Sequence, residues 1–269
     1  MQNLDPIKTG FTDLDKIIGG LYPGELVVIG AGPAIGKTSF LASLIRNITL
    51  KHEKKGLLFT LSKPVEAFRL YIISSVSGIS PLMIRHPERF EEYERLSKDE
   101  QEFLKMISFE VSNLQMFIDD TQEKNINDLC ESARKMIRDV GVEIIYIDNI
   151  NYLSTDDVYS SWSFVICEVM TKLKQLAKEL NVPIVGTTDT YGVGYSHHAS
   201  SLSSLHPSII DKADVILLLN RPRTEEALSY PASLNIAKNI FGDTGEIKIT
   251  FFPETICFDN FDITSENGL

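Results

Sequence analysis

Short apolar runs alternate with segments of helical periodicity along most of this chain. Consecutive apolar residues predict buried strands at 26–29, 56–61, 114–120, 143–148, 183–186 and 215–219. Apolar residues recur with helical spacing in the segments between them, including 37–48 and 125–139. Strands that alternate with helices in this way are typical of a mostly parallel α/β sheet flanked by helices.

The last part of the chain follows a different pattern. Residues 233–252 contain two alternating strands around a turn at 242–245, which predicts a C-terminal antiparallel hairpin. The charged stretch 80–108 is expected to form solvated helices that cover the sheet. We therefore predict one α/β domain over residues 1–258, followed by an acidic C-terminal tail over residues 259–269.

Acidic residues outnumber basic ones in this sequence of 269 residues. Lys and Arg total 26 against 37 Asp and Glu, which gives a formal net charge of −11. Such a chain repels the phosphate backbone of nucleic acids unless its basic groups are concentrated locally. The charge therefore argues against an open nucleic-acid-binding surface.

Location and redox state follow from what the sequence lacks. No apolar run reaches the roughly 18–20 residues of a membrane span, and the first residues do not resemble a secretory signal. We expect a cytoplasmic protein without membrane contact. Cys130, Cys167 and Cys257 are odd in number and lie far apart, without His at metal-ligand spacing, so they are expected to be buried thiols.

The loop that follows the first strand carries the clearest chemical motif. Residues 31–38 read AGPAIGKT, which matches the phosphate-binding pattern GxxxxGK(S/T) except that Ala31 replaces the first Gly. Because a strand enters the loop and a helix leaves it, backbone N–H groups are expected to converge on phosphates at the helix N-terminus. The residues assigned to nucleotide binding are Gly32, Gly36, Lys37, Thr38 and Ser39. The alternative is a Gly-rich turn that binds nothing.

Asp148 ends an apolar strand and is the candidate acid of the metal site. Lys37 would contact the β and γ phosphates, Thr38 would offer its hydroxyl to Mg²⁺, and Asp148 would orient the water bound to that ion. ATP and Mg²⁺ are therefore the expected cofactors. Taken alone, Asp148 is also compatible with a helix or turn cap.

Several segments resemble the motor domain of DnaB-type replicative helicases, a RecA-like P-loop fold. They are TGFTDLD from Thr9, GGLYPGEL from Gly19, FIDDT from Phe117, KQLAKELNVPIV from Lys174 and DKADVI from Asp211. The resemblance spans about residues 6–258, and the family tolerates Ala at the first glycine of the loop. It does not include the family's N-terminal domain or docking linker, so a monomer is expected, with a hexamer as the alternative.

The resemblance also identifies catalytic positions that this chain has changed. The family's general base is a Glu at the end of the strand after the P-loop helix, where this chain has Ser62, and Glu66 is the nearest substitute. The family inserts a Lys and an Arg into the neighbouring nucleotide site; Lys238 matches the Lys, but Ile240 replaces the Arg. Lys238 is equally compatible with a surface lysine. Asp189 replaces the family's sensor Gln.

The loops that would face single-stranded DNA, by resemblance, are 154–164 and 191–208. Neither contains Lys or Arg, although Tyr159, Trp162, Tyr191 and Tyr195 have rings on which bases could stack. Packing is the alternative role for these rings, so weak or absent single-stranded DNA binding is expected. We therefore predict an ATP-binding domain with impaired hydrolysis that acts through a helicase-like or replication partner protein. The alternative is an active helicase motor in a homomeric or mixed ring.

Overall fold

The computed structural model describes residues 5–91, 96–122, 124–157, 161–191, 200–221 and 229–261. Nine strands in these ranges form one sheet in the order β3-β2-β4-β5-β1-β6-β7-β8-β9. The strands are β1 Leu26–Ala31, β2 Gly56–Thr60, β3 Met116–Asp119, β4 Ile144–Asp148, β5 Ile184–Asp189, β6 Val215–Asn220, β7 Tyr230–Asn239, β8 Gly245–Phe252 and β9 Cys257–Asn260. The first six strands run parallel, and β7, β8 and β9 continue the sheet antiparallel.

Helices cover both faces of this sheet. They are α1 Thr12–Ile18, α2 Lys37–Ile45, α3 Val65–Ser77, α4 Pro81–Arg85, α5 Lys98–Ser112, α6 Ile126–Val140, α7 Trp162–Leu180 and α8 Pro207–Lys212. Residues of α1, α2, α3 and α5 pack in one apolar cluster, and those of α6, α7 and α8 pack in the other. Successive residues of β1 alternate between the clusters, because neighbouring side chains in a strand point to opposite faces.

The predicted α/β class, with a mostly parallel sheet and a C-terminal antiparallel hairpin, is confirmed. Helices α1 and α8 and strand β9 were not anticipated from the sequence. Strand β9 ends at Asn260, so the proposed domain boundary at residue 258 falls inside it, and residues 262–269 of the proposed tail lie outside the described residues.

Two smaller expectations have different outcomes. Cys130 and Cys257 are buried, but Cys167 is exposed, so the prediction of three buried thiols is wrong for that residue. It lies on the face of α7 that turns away from the apolar cluster. Among the helices that the structure describes, none combines the length and the apolar character needed to cross a bilayer.

Candidate functional site

The candidate site lies where four parallel strands end at the same edge of the sheet. Strands β2, β4, β5 and β1 are neighbours in that order. Thr60 at the end of β2 is level with Asp148 at the end of β4, and Asp189 at the end of β5 is level with Ala31 at the end of β1. In open parallel sheets, ligands bind at the carboxyl ends of the strands.

The loop from β1 to α2 wraps around the N-terminus of that helix. Gly36 has φ +118°, and a Cβ atom there would lie 3.0 Å from the Phe258 ring, so the turn requires glycine. Gly36 is the N-cap residue of α2. Within the described residues, no side-chain hydrogen bond caps this N-terminus and no acid lies in the first turn of the helix. The N–H groups of this turn, which contains Lys37, Thr38 and the buried Ser39, are therefore available for an anion.

The Lys37 side chain folds back over the loop. Its ammonium group donates to the carbonyls of Ala31 at 3.0 Å and Gly32 at 3.2 Å. It also forms an ion pair with the Asp189 carboxylate at 2.8 Å. Only 11% of the Lys37 side chain is exposed, against 41% for Asp189.

Asp148 and Thr38 meet on the other side of the loop. The Thr38 hydroxyl donates to Asp148 Oδ2 at 2.9 Å, and the Thr187 hydroxyl donates to Oδ1 at 2.5 Å. Burial raises the pKa of the Asp148 carboxyl above its ordinary value, while these two hydrogen bonds oppose the rise. The predicted partners of the metal site are thus in direct contact, although they lie 110 residues apart in sequence.

Oxygen ligands of this kind suit Mg²⁺. That ion is held in proteins by one or two carboxylates together with substrate phosphates and water, so a single Asp beside a Thr hydroxyl is a fitting donor set. Within the described residues, no group of three or more His, Cys, Asp or Glu side chains is arranged to hold a metal. A single carboxylate with one hydroxyl leaves the other coordination positions of such an ion to phosphate oxygens and water.

Ser62 lies beside Asp148, at the position where the resemblance places the catalytic base. Its hydroxyl is 3.5 Å from Asp148 Oδ2. Glu66 lies in the first turn of α3 and is exposed, and the groups that bond the Asp148 carboxylate in the described residues are Thr38, Thr187 and Ser62. A serine hydroxyl at neutral pH does not accept a proton as a carboxylate does.

Asp189 belongs to a polar network that continues along the edge of the sheet. The Asn149 amide donates to Asp189 Oδ2 at 3.1 Å, and the Asp189 backbone N–H donates to Asn151 Oδ1 at 3.1 Å. The Asn151 amide in turn donates to the Tyr191 hydroxyl at 3.1 Å. Both the carboxylate and the backbone of Asp189 are therefore held in place.

Two contacts at the site were missed by sequence reasoning. Arg221, directly after β6, donates to the carbonyls of Ile35 at 3.1 Å and Ala34 at 3.1 Å, and so braces the phosphate-binding loop. Thr187 bonds the buried acid. Their only sequence signal is position, because residues near the carboxyl ends of β5 and β6 must fall beside the loop once both strands pair with β1.

Lys238 and Ile240 lie near the N-terminal ends of the parallel strands, opposite the ends that carry the candidate site. Because β7 is antiparallel, Ile240 lies beside the start of β6, and its N–H donates to the Asp214 carbonyl at 3.1 Å. Strand β1 is about 16 Å long, at about 3.3 Å per residue, and this length separates the N-terminal ends of the strands from the loop. The Lys238 ammonium donates to carbonyls at the end of α8, Ile210 at 2.7 Å and Ala213 at 2.6 Å. Neither residue reaches the loop of its own chain.

The two loops that would face DNA are only partly described. Trp162 lies with its ring 5.3 Å from that of Tyr191 and 5.2 Å from that of His206, so aromatic contacts join the loops. Both Trp162 and Tyr191 remain about half exposed, at 40% and 47%. Tyr159 and Tyr195 lie outside the described residues.

Comparison with known proteins identifies relatives of this chain. A family model described as "DnaB-like helicase C terminal domain" matches residues 6–260. The chain is 28% identical over 262 residues to the replicative DNA helicase DnaB of Haemophilus influenzae, covering 94% of this chain and 55% of that protein. It is 25% identical over 255 residues to DnaB of Leifsonia xyli subsp. xyli, covering 91% and 54%. The chain spans about half the length of these curated relatives.

Solved structures share the fold. One of them, an isolated ATPase domain, has a TM-score of 0.86 and 24% identity, and the likeness covers 97% of this chain and 93% of that chain. A DnaB-like replicative helicase, solved for its interactions with primase, has a TM-score of 0.86 and 23% identity, with 97% and 63% covered. This likeness confirms the predicted RecA-like fold of the DnaB type.

Proposed function

Since the chain belongs to the DnaB-like helicase C-terminal domain family, we propose that it binds a nucleoside triphosphate with Mg²⁺ and hydrolyses it slowly. Lys37, Thr38, Ser39, Gly32 and Gly36 would hold the phosphates. Thr38 and Asp148 would hold the metal ion, directly or through water. The domain would then act through contacts with a partner protein that depend on the bound nucleotide.

The hydrogen bond between Thr38 and Asp148 is the observation that carries the proposal. It joins the hydroxyl of a phosphate-binding motif to a buried carboxylate at 2.9 Å, beside a helix N-terminus that no side chain caps within the described residues. A Gly-rich turn without a ligand would not need a buried acid, because burial disfavours the charged form of that acid. A metal ion carried by phosphates would offset that penalty.

Slow hydrolysis follows from two replaced positions. Ser62 occupies the place of the general base, whose contribution is typically about 10²–10⁴-fold in rate. Ile240 occupies the place of an arginine finger, which contributes about 10³–10⁵-fold in phosphoryl-transfer enzymes. Such effects are not additive, but either loss is large enough to make turnover slow.

Lys37→Ala provides the test of nucleotide binding. Titration with a fluorescent ATP analogue and Mg²⁺ should show binding in the parent chain and at least about tenfold weaker binding in the variant, because one charged contact to phosphate is lost. Lys16→Ala, which removes an exposed cation paired with Asp13, is the matched control and should bind as the parent does. Equal affinity in all three proteins would mean that the loop is a structural turn.

An active helicase motor is the second candidate, favoured by the match of the family model over nearly the whole chain. On that hypothesis, a partner subunit supplies the missing base and finger. Steady-state ATPase activity with and without single-stranded DNA separates the two candidates. We expect turnover well below about 1 s⁻¹, the low end of ordinary enzymes, and no stimulation by DNA. Faster turnover that DNA stimulates would favour the motor.

A further inference from the structure

Lys37 is already fully engaged by its own chain. An ammonium group has three hydrogens, and this one has three acceptors: the Ala31 carbonyl, the Gly32 carbonyl and Asp189 Oδ1. The two carbonyls belong to the loop itself. The third acceptor, Asp189 Oδ1 at 2.8 Å, lies outside the loop, at the end of the neighbouring strand β5.

The carboxylate is anchored where it is. Its second oxygen accepts from the Asn149 amide at 3.1 Å, and its backbone N–H is bonded to Asn151. The side chain can therefore leave Lys37 only by disturbing contacts along the edge of the sheet. At the same time it is 41% exposed, so it borders the space that a ligand of the loop would enter.

The phosphates of a bound nucleotide depend on Lys37 to different degrees. In loops of this kind, backbone N–H groups hold the α and β phosphates, and the Lys side chain reaches the β and γ phosphates. The terminal phosphate of a triphosphate therefore competes with Asp189 for the same ammonium hydrogen. It also brings its own negative charge close to an anchored carboxylate.

We propose that Asp189 is a specificity-determining residue that makes this site favour nucleoside diphosphates over triphosphates. This inference rests on the proposed nucleotide binding. A diphosphate retains the backbone donors of the loop and of the N-terminus of α2, and only its β phosphate approaches Lys37, so most of its binding does not require the Lys37–Asp189 pair to separate. A triphosphate gains its last contact only by separating that pair.

The experiment compares affinities for ADP and ATP, each with Mg²⁺, by isothermal titration calorimetry in the parent chain and in Asp189→Asn. The parent should bind ADP more tightly. Asp189→Asn keeps an acceptor for Lys37 but removes the charge, so the ratio Kd(ATP)/Kd(ADP) should fall by about tenfold. Asp189→Gln, a second uncharged variant, should lower the ratio in the same direction. It provides the test if Asp189→Asn disturbs folding.

Asp13→Asn is the matched control. Asp13 forms an exposed ion pair with Lys16 at the same 2.8 Å distance, so this variant changes the net charge by the same amount away from the site. Its ratio should equal that of the parent. A change of less than about threefold in the ratio for both uncharged variants of Asp189 would overturn the inference, as would tighter binding of ATP than of ADP by the parent.

The same titrations separate this inference from the proposed function. If neither nucleotide binds the parent, or if Lys37→Ala binds both as the parent does, nucleotide binding at the loop is refuted and the inference falls with it. If Lys37→Ala weakens binding but uncharged variants of Asp189 leave the ratio unchanged, the proposed function stands and only the role of Asp189 is refuted.

Discussion

The surroundings of Asp148 oppose the charge of its carboxylate. Only 1% of its surface is exposed, and burial raises the pKa of its carboxyl group. The hydroxyls of Thr38 and Thr187 stabilise the ionised form in part. A buried acid with this environment is typical of a residue that is retained for binding or catalysis at the expense of stability.

Asp148→Asn should therefore stabilise the metal-free chain near neutral pH. Because the native pKa is raised, the folded state favours the protonated acid, and the parent loses stability as pH rises from the ordinary carboxyl pKa of 3.8 through the raised native value. The variant lacks this loss. We therefore expect its Tm at pH 7 to exceed that of the parent, and each 1 kcal/mol of stabilisation would correspond to about 2–4 °C in a domain of this size.

Thermal melts at several pH values check this prediction. The difference in Tm should shrink as the pH is lowered through 3.8, because below that value the acid becomes neutral in both the folded and the unfolded state. Asp13→Asn, at an exposed position, should show no comparable gain. A Tm for Asp148→Asn that is lower than the parent's at pH 7 would show that the charged acid stabilises the fold and would contradict this account.

Site residues marked by a local motif or by the end of an apolar strand could be proposed from the sequence, whereas contacts that depend on which strands are neighbours could not. Lys37 and Thr38 follow from the spacing within one loop, and Asp148 follows from its place at the end of an apolar strand. The ion pair of Lys37 with Asp189 depends on the parallel pairing of β1 with β5, and the Arg221 contacts depend on the pairing of β1 with β6. Local patterns do not state which strands will be neighbours.

At the scale of elements, the turn that enters α2 depends on glycine in two ways. Gly36 has φ +118°, outside the range that residues with a Cβ atom readily adopt, and the Phe258 ring of β9 lies 3.0 Å from where that atom would be. The last strand of the sheet thus closes over the start of the helix. Phe258 also packs edge-on against Phe40 of α2, with ring centroids 5.7 Å apart.

Gly36→Ala should therefore destabilise the domain and weaken nucleotide binding together. Backbone strain alone is about 1–3 kcal/mol at such positions, and the contact with Phe258 adds to it. Gly78→Ala is the matched control, since Gly78 has φ +74° but no atom within 4 Å of its Cβ position. Chemical denaturation measures both losses, and nucleotide titration measures binding. A loss for Gly36→Ala no larger than that for Gly78→Ala would show that the Phe258 contact has no effect.

The elements themselves were predictable where burial dictates their pattern. Strands β1, β4 and β6 are apolar runs because both faces of a central parallel strand are covered. The helix predicted over 37–48 instead ends at Ile45 and continues as a π-helix over Arg46–Lys51. There Arg46 donates to the Phe258 carbonyl, and Asn47 donates to the Thr9 carbonyl. These are contacts with distant segments that helical periodicity does not reveal.

The arrangement of the whole molecule explains why the two replaced catalytic positions must be tested separately. Ser62 lies 3.5 Å from Asp148, within the site of its own chain. Ile240 lies at the opposite edge of the sheet and is 46% exposed, beside Phe241, which is 81% exposed. On the proposed function, a group at position 62 would act within one chain, whereas a group at position 240 would act only on a nucleotide held by another subunit.

Restoring both groups should therefore produce two distinct kinetic signatures. Ser62→Glu should raise steady-state ATP hydrolysis by about tenfold, less than the 10²–10⁴-fold typical of a general base, because the new carboxylate lies close to Asp148. Adding Ile240→Arg should raise the rate further only as protein concentration increases, and Ile240→Arg alone serves as the control with little effect. If the parent is already active and Ser62→Glu leaves its rate unchanged, position 62 is not the base position. If the gain of the double variant over Ser62→Glu does not depend on protein concentration, the arginine does not act through association of subunits, and this account of position 240 is wrong.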